Sequence, residues 1–149
     1  MEKGIQLSAV KLELLLILMH GRMLSKYQKP FFRQNVVAGK QILMIKEVDR
    51  NFILNKFDER MQEYLVLLLK EQEVMNDIIE VYGNLDFFEM IKRKDLTFLR
   101  ELCYKEGELN IVPNELIEKV FDYYNFYDMD YVKSQEDSFQ KRMFKQYKK

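Results

Sequence analysis

The sequence predicts an all-α fold, a compact bundle of about six or seven helices in a single domain spanning residues 1–149. Only two prolines and five glycines interrupt the 149 residues, whereas an all-β domain of this size needs many more turn residues. An apolar heptad pattern runs from Phe57 to Tyr82 with one polar interruption at Glu71, which is typical of a long helix. Leu109 to Val112 is compatible with extended backbone, but four residues are weak evidence for a strand, so no strand is predicted.

The first helix is predicted from about Ser8 to His20. Ser8 fits the N-cap position, where its hydroxyl accepts from the free amides of the first turn. Apolar residues cover most faces of this segment, which is typical of a buried helix. Gly21 is the predicted stop, because glycine adopts a positive φ without a steric penalty.

The next helical segment is predicted to start at Pro30, after a loop, and to reach roughly Asn51 or Asn55. Gly39 is a candidate break that would divide this segment into two helices. In that case a helix–turn–helix is conceivable, with helices over 31–37 and 40–51 and the turn at Ala38-Gly39. The second of these helices would be very apolar, which argues against a DNA-recognition role.

The long central helix is predicted over about Asp58 to Tyr82. Its length would be about 37 Å at the usual rise of roughly 1.5 Å per residue. Carboxylates at positions 58 and 59 complement the dipole of its first turn, and Gly83-Asn84 ends it.

Shorter helices are predicted in the remainder of the chain. Asp86 and Asp95 are candidate N-caps of two of them, and Pro113 fits the first turn of a third. Residues 125–131 have the composition of a linker. Ser134 and Asp137 form a capping box, so residues 133–149 are predicted to form a basic C-terminal helix that is semi-independent of the rest.

Several chemistries lack their required residues. Cys103 and His20 are the only cysteine and histidine, too few for a zinc site, and we interpret both as structural rather than as a catalytic pair. No glycine-rich nucleotide-binding loop occurs. Asp128-x-Asp130 lacks the glycine and the glutamate of a calcium loop. No cofactor, no metal and no enzymatic activity are therefore predicted.

The longest apolar run, Leu14 to Met19, is six residues, far below the roughly 20 that span a bilayer. We expect no membrane span. A single cysteine and the lack of a signal-peptide pattern predict a reducing, cytoplasmic location.

Charge is strongly segregated along a chain of zero net charge. No acidic residue occurs between Leu14 and Lys46, whereas residues 57–132 hold 8 basic and 18 acidic side chains. The basic stretch is a candidate surface for nucleic acid or for an acidic partner. Its basic residues are Arg22, Lys26, Lys29, Arg33, Lys40 and Lys46. Alternatively, these bases face the acidic helices of the protein itself.

A second candidate surface is acidic and aromatic. Exposed tyrosine and phenylalanine are common anchors of protein interfaces, and the candidates here are Tyr123, Phe126, Tyr127 and Tyr131. The alternative interpretation is that these rings cover the end of the bundle core.

The leading functional hypothesis is a small non-enzymatic regulatory or adaptor protein that acts by protein–protein contact, with another protein or as a homodimer. The alternative is a nucleic-acid-binding regulator, resembling a helix–turn–helix protein in layout, that uses the basic stretch from Arg22 to Lys46.

Overall fold

A computed structural model of the chain describes residues 9–45, 69–106 and 110–147. These residues form a mostly helical fold with a small antiparallel sheet. The helices within the described ranges are α1 (Ala9–Tyr27), α2 (Leu69–Tyr82), α3 (Phe87–Ile91), α4 (Lys94–Cys103), α5 (Asn114–Phe126) and α6 (Met129–Tyr147). The strands are β1 (Val36–Ala38), β2 (Leu43–Ile45) and β3 (Asn110–Val112).

Helix α1 lies at the centre of the described fold, where it packs against α2, α3, α5 and β2. Its residues from Leu12 to Leu18 are almost fully buried, as expected for a helix that is apolar on most faces. The prediction of a long central helix over about Asp58 to Tyr82 is not confirmed: within the described residues this segment contains α2, and Asp58 to Leu68 lie outside them.

The predicted stop of α1 at Gly21 is wrong, because the helix continues to Tyr27. Gly21 is buried inside the helix, and a Cβ at this position would lie 2.3 Å from the Phe121 ring. The glycine therefore permits close packing rather than a helix end. Gln28 has the left-handed φ of 56°, and its amide donates to Leu24 O at 3.0 Å, so the chain leaves the helix there.

The mostly helical fold agrees with the predicted class, but it also contains a small sheet, which stands where a helix–turn–helix was considered. Its strand order is β2-β1-β3, with both pairs antiparallel, so Val36 lies opposite both Ile45 and Val112. The β-branched residues of these strands favour extended backbone. Gly39 N donates to Ile42 O at 2.9 Å and closes a hairpin where two helices were considered.

The third strand lies within Leu109 to Val112, the one stretch that was considered as extended, so the expectation of no strand is wrong here. Its pairing with β1 attaches the chain just before α5 to the segment that follows α1. Pro113 then precedes α5, close to the predicted first turn, where a missing amide hydrogen costs no hydrogen bond.

Helices α2 to α4 agree in part with the predicted capping. Gly83 N donates to Ile79 O at 2.8 Å, so α2 ends where expected. The Asp86 side chain accepts from Glu89 N at 2.8 Å and caps α3. Asp95 is not an N-cap: it lies inside α4 and is buried.

Helix α6 begins earlier than predicted. Only Tyr127 and Asp128 separate it from α5, so the linker prediction for residues 125–131 is wrong. The Asp128 side chain accepts from Tyr131 N at 2.8 Å and caps the helix. Ser134, the predicted cap, lies inside the helix, and its hydroxyl donates to Tyr131 O at 2.9 Å. Phe139 of α6 is buried in the common core.

Within the described parts of the chain, no helix has the length and the apolar character that crossing a membrane requires.

Candidate protein-interaction groove

Helices α5 and α6 form an antiparallel pair. The rings of Tyr123 and Phe139 stack with centroids 4.0 Å apart. Farther from the connecting turn, Lys119 Nζ donates to the hydroxyl of Tyr147 at 3.1 Å. Residue numbers therefore fall along α5 as they rise along α6. Large aromatic side chains make these contacts, and they leave a groove along one side of the pair.

This groove, which we call the α5–α6 groove, has a volume of about 430 Å³. Its base includes Phe139 and Met143, two buried residues of the core. Its two walls combine aromatic, amide and charged side chains. The other residues lining the groove are Lys119, Asp122, Tyr123, Tyr127, Tyr131, Gln135, Ser138, Arg142 and Gln146.

One end of the groove carries exposed apolar side chains at the turn between the helices. Tyr127 is 51% exposed, Met129 is 60% exposed and Tyr131 is 44% exposed. The rings of Tyr127 and Tyr131 lie with centroids 4.6 Å apart. These two residues were predicted interface aromatics, and the structure places them side by side. Met129 lies at the same turn but does not line the groove.

The other two predicted interface aromatics differ from this pair. Tyr123 is only 6% exposed, and its hydroxyl donates to Val132 O at 2.7 Å, so it supports the exposed rings from the core. The side chain of Phe126 lies outside the described residues. Burial raises the pKa of Tyr123, with nearby Glu136 contributing, so its hydroxyl stays protonated and remains a donor at neutral pH.

Charges on the α5 wall have partners in the chain. Lys119 Nζ lies 3.1 Å from Glu115 Oε1, and the Glu115 carboxylate and the Tyr147 hydroxyl raise the lysine pKa. Asp122 accepts a hydrogen bond from the Ser25 hydroxyl of α1. Both charged side chains of the α5 wall therefore already have a polar partner within the chain.

Arg142 on the α6 wall is different. Its guanidinium carbon lies 5.8 Å from the centroid of the Phe139 ring, a cation–π arrangement at an exposed position. Among residues 9–45, 69–106 and 110–147, no carboxylate forms an ion pair with it. The groove thus has an apolar end at the tyrosines and a cationic position three helical turns away.

The predicted basic surface is divided in the structure. Lys26 of α1 forms an ion pair with Glu73 of α2, and hydrogen bonding to Glu73 raises the lysine pKa. Arg22 lines a pocket of about 250 Å³ together with Asp77 and Glu80 of α2. Two of the six predicted bases therefore lie beside acidic residues of the protein itself.

The remaining predicted bases lie in connecting segments. Lys29 and Arg33 are exposed between α1 and β1, and Lys40 is exposed in the turn between β1 and β2. Arg100 Nη1 donates to the backbone oxygen of Lys40 at 2.9 Å and fixes this turn. Lys46 lies outside the described residues.

His20 is completely buried and makes three polar contacts. Its Nδ1 accepts from Phe31 N at 3.1 Å and from Phe32 N at 3.5 Å. Its Nε2 therefore carries the proton and donates to Asn114 Oδ1 at 2.9 Å. The ring also stacks on Phe32 with centroids 4.1 Å apart. Burial lowers the histidine pKa, so the imidazole is neutral and connects three segments of the fold.

Among the described residues, no group of three or more histidine, cysteine, aspartate or glutamate side chains has the arrangement to hold a metal ion. No protein-family model matches this chain, and no curated protein or solved structure matches it significantly.

Proposed function

We propose that this protein is a small adaptor or regulatory protein that acts by protein–protein contact, and that its docking surface is the α5–α6 groove. The observation that carries the proposal is the pair of exposed, adjacent rings of Tyr127 and Tyr131, which line that groove with their centroids 4.6 Å apart. Contiguous exposed apolar groups beside a concave surface are typical of interaction sites.

The position of the two exposed tyrosines favours an interface over a role in covering the core. Tyr123 already covers the core here, stacked on Phe139. Tyr127 and Tyr131 lie outside it, with about half of their surface exposed. An exposed tyrosine presents both an apolar ring and a polar hydroxyl, and this amphipathic character is common at the hot spots of protein interfaces.

The turn that carries these rings is fixed before any partner binds. Asp128 holds the backbone amide of Tyr131, and the Tyr123 hydroxyl holds the backbone oxygen of Val132. Backbone that already has its bound conformation loses less conformational entropy on binding. This pre-organisation supports a role in recognition.

The nucleic-acid alternative has less support. The hairpin formed by β1 and β2 replaces the helix–turn–helix that was one possible layout for it, and Lys26 is paired with Glu73. What remains in its favour is the exposure of Lys29, Arg33 and Lys40.

The proposal is tested by a photo-crosslinking amino acid placed at position 131 in cells of the source organism, with position 88 as the control. Phe88 is 68% exposed on α3 and does not line the groove. Each protein crosslinked only from position 131 is then purified, and its affinity for the chain is measured by isothermal titration calorimetry.

We expect Tyr127→Ala combined with Tyr131→Ala to weaken this binding at least 10-fold, because each residue resembles an interface hot spot worth on the order of 1–2 kcal/mol. Phe88→Ala should leave the affinity unchanged. Equal loss with both variants, or no loss with the tyrosine variant, contradicts the proposal. Circular dichroism of each variant checks that the helices are retained.

A further inference from the structure

The two walls of the α5–α6 groove differ in how their charges are used. On α5, Lys119 is paired with Glu115 and Asp122 is bonded to Ser25. On α6, Arg142 contacts the Phe139 ring, and no carboxylate of the described residues pairs with it. Of the charged side chains that line the groove, Arg142 is therefore the one with neither a hydrogen-bond nor an ion-pair partner among the described residues. A carboxylate is the complement of its guanidinium.

The shape of the groove indicates which kind of segment would fit. It follows α6 from Tyr131 to Gln146, which corresponds to about 22 Å at the helical rise of roughly 1.5 Å per residue. Two antiparallel helices with a trough between them offer ridges and grooves that accept a third helix. In the helix-in-groove mode of recognition, an amphipathic helix places its apolar face in such a trough.

The spacing of the two recognition elements sets the register. Tyr131 and Arg142 are both groove-lining residues of α6, and eleven positions along a helix make about three turns of 3.6 residues. Residues eleven positions apart on a bound helix likewise share one face. An anchor at the tyrosine end and a carboxylate at Arg142 would thus be about eleven positions apart in a helix aligned with α6.

From these observations we infer that the α5–α6 groove binds an amphipathic helix of a partner protein, in which a large apolar side chain contacts Tyr127 and Tyr131 and an aspartate or glutamate about eleven positions away pairs with Arg142. This inference rests on the proposed function and adds the chemistry of the partner. The guanidinium offers parallel N–H groups that match both oxygens of a carboxylate.

The test is a selection from a display library of 16-residue helical peptides against the full chain. Every peptide carries an apolar residue near one end, and the other positions of one face are randomised. We expect enrichment of aspartate or glutamate 10 to 12 positions from the apolar residue. A selected peptide with alanine in place of this acid should bind about 10-fold more weakly, as expected for loss of a charge-assisted hydrogen bond.

Charge reversal gives the sharper readout. Arg142→Glu should weaken the selected acidic peptide, and a peptide with lysine in place of its acid should regain affinity for this variant. The matched control is Lys133→Glu, which makes the same change of charge on the same helix at an exposed position that does not line the groove. Arg142 is also exposed, so both variants should fold, which circular dichroism verifies.

The failures of the inference and of the proposed function can be distinguished. Peptides that bind the groove, and lose affinity with Tyr131→Ala but not with Arg142→Glu, would overturn the acidic helix while the proposed function stands. Peptides that are insensitive to both changes would overturn both ideas. A groove filled by a second copy of the chain, seen as a dimer in sedimentation that Arg142→Glu separates, would also overturn the inference of a partner helix.

Discussion

Gly21 of α1 lies directly against the ring of Phe121 in α5, at a distance that leaves no room for a Cβ atom: the added carbon would lie 2.3 Å from Cε2 of the ring. Helices α1 and α5 are extensively packed against each other, and this is the point where the absence of a side chain decides how closely they approach. The pair therefore provides a direct test of the packing.

The first prediction is that Gly21→Ala destabilises the protein although alanine favours helix. The helix gains about 1 kcal/mol from the better propensity, whereas overpacking a core costs roughly 1–3 kcal/mol or more. We expect a net loss of up to about 2 kcal/mol in urea unfolding, from the balance of these terms. Adding Phe121→Leu should recover part of it, because the smaller side chain makes room; a stabilising Gly21→Ala would contradict the close contact.

The second prediction concerns the dependence of stability on pH. Burial lowers the pKa of His20 in the folded state, whereas the unfolded value is about 6.5. Between these two values the unfolded chain binds more protons, so the free energy of unfolding rises with pH. We expect the full stability above about pH 7 and a decrease as the pH falls below about 6.5, the unfolded pKa.

This dependence is measured from urea midpoints between pH 7.5 and 5.5, above the range in which most carboxylates titrate. His20 is the only histidine, so His20→Gln should have a lower midpoint at pH 7.5 and a flatter profile over the same range. An unchanged slope in the variant would assign the dependence to other groups.

The third prediction concerns the buried carboxylate of Asp95, which is 1% exposed. It accepts from Arg93 Nη2 at 2.7 Å, from Asn125 Nδ2 at 3.1 Å and from Leu96 N at 2.8 Å. Asp95→Ala leaves the guanidinium without its counter-charge, so we expect a loss of about 3 kcal/mol in chemical denaturation, as for other broken buried ion pairs.

Asp137 supplies the control for this experiment. It pairs with Lys141 on α6 at 3.0 Å, and both side chains are largely exposed. Asp137→Ala should change the stability by less than about 0.5 kcal/mol, as is usual for exposed pairs within one helix. If the two variants change the free energy of unfolding by similar amounts, the buried network around Asp95 does not stabilise the fold more than an exposed ion pair does.

The fourth prediction tests the competing function. If the protein acts through nucleic acid, its affinity for duplex DNA should fall steeply with salt, and Lys29→Ala combined with Arg33→Ala should abolish the binding. If instead the protein acts by protein–protein contact, fluorescence anisotropy at low salt should show at most weak binding to DNA. Tyr127→Ala combined with Tyr131→Ala should leave this DNA binding unchanged.

The parts of the fold that sequence predicts well have local causes. Asp86 caps α3 because a short side-chain oxygen reaches the amides of the first turn, and that signal lies within four residues. The end of α2 at Gly83 and the start of α5 after Pro113 are local in the same way. Burial along α1 follows from its composition.

The parts that sequence does not predict depend on distant residues. The role of Gly21 is set by Phe121, and nothing near position 21 distinguishes a packing glycine from a helix stop. Residues 42–45 are apolar without a clear period, so helix and strand are both compatible with them; pairing of this segment with β1, which in turn pairs with β3, selects the strand.

The candidate site shows the same limit. Composition alone identifies the aromatic segment, but it does not separate Tyr123, which is buried, from Tyr127 and Tyr131, which are exposed. That difference depends on where α6 begins, and Asp128 rather than Ser134 determines it. Arg142 is one of six bases of the predicted C-terminal helix, and the sequence does not separate it from the other five, because whether a basic residue has an ion-pair partner depends on the folded neighbours.

The strand order β2-β1-β3 also has a consequence for how the chain emerges during synthesis. The hairpin of β1 and β2 can form early, but the other edge of β1 is satisfied only by β3, whose residues are translated much later. Until Asn110 to Val112 have left the ribosome, the amides and carbonyls along that edge of β1 are available to another strand. An open edge of this kind invites pairing between nascent chains, so a chain truncated before residue 110 should aggregate more readily than the full chain.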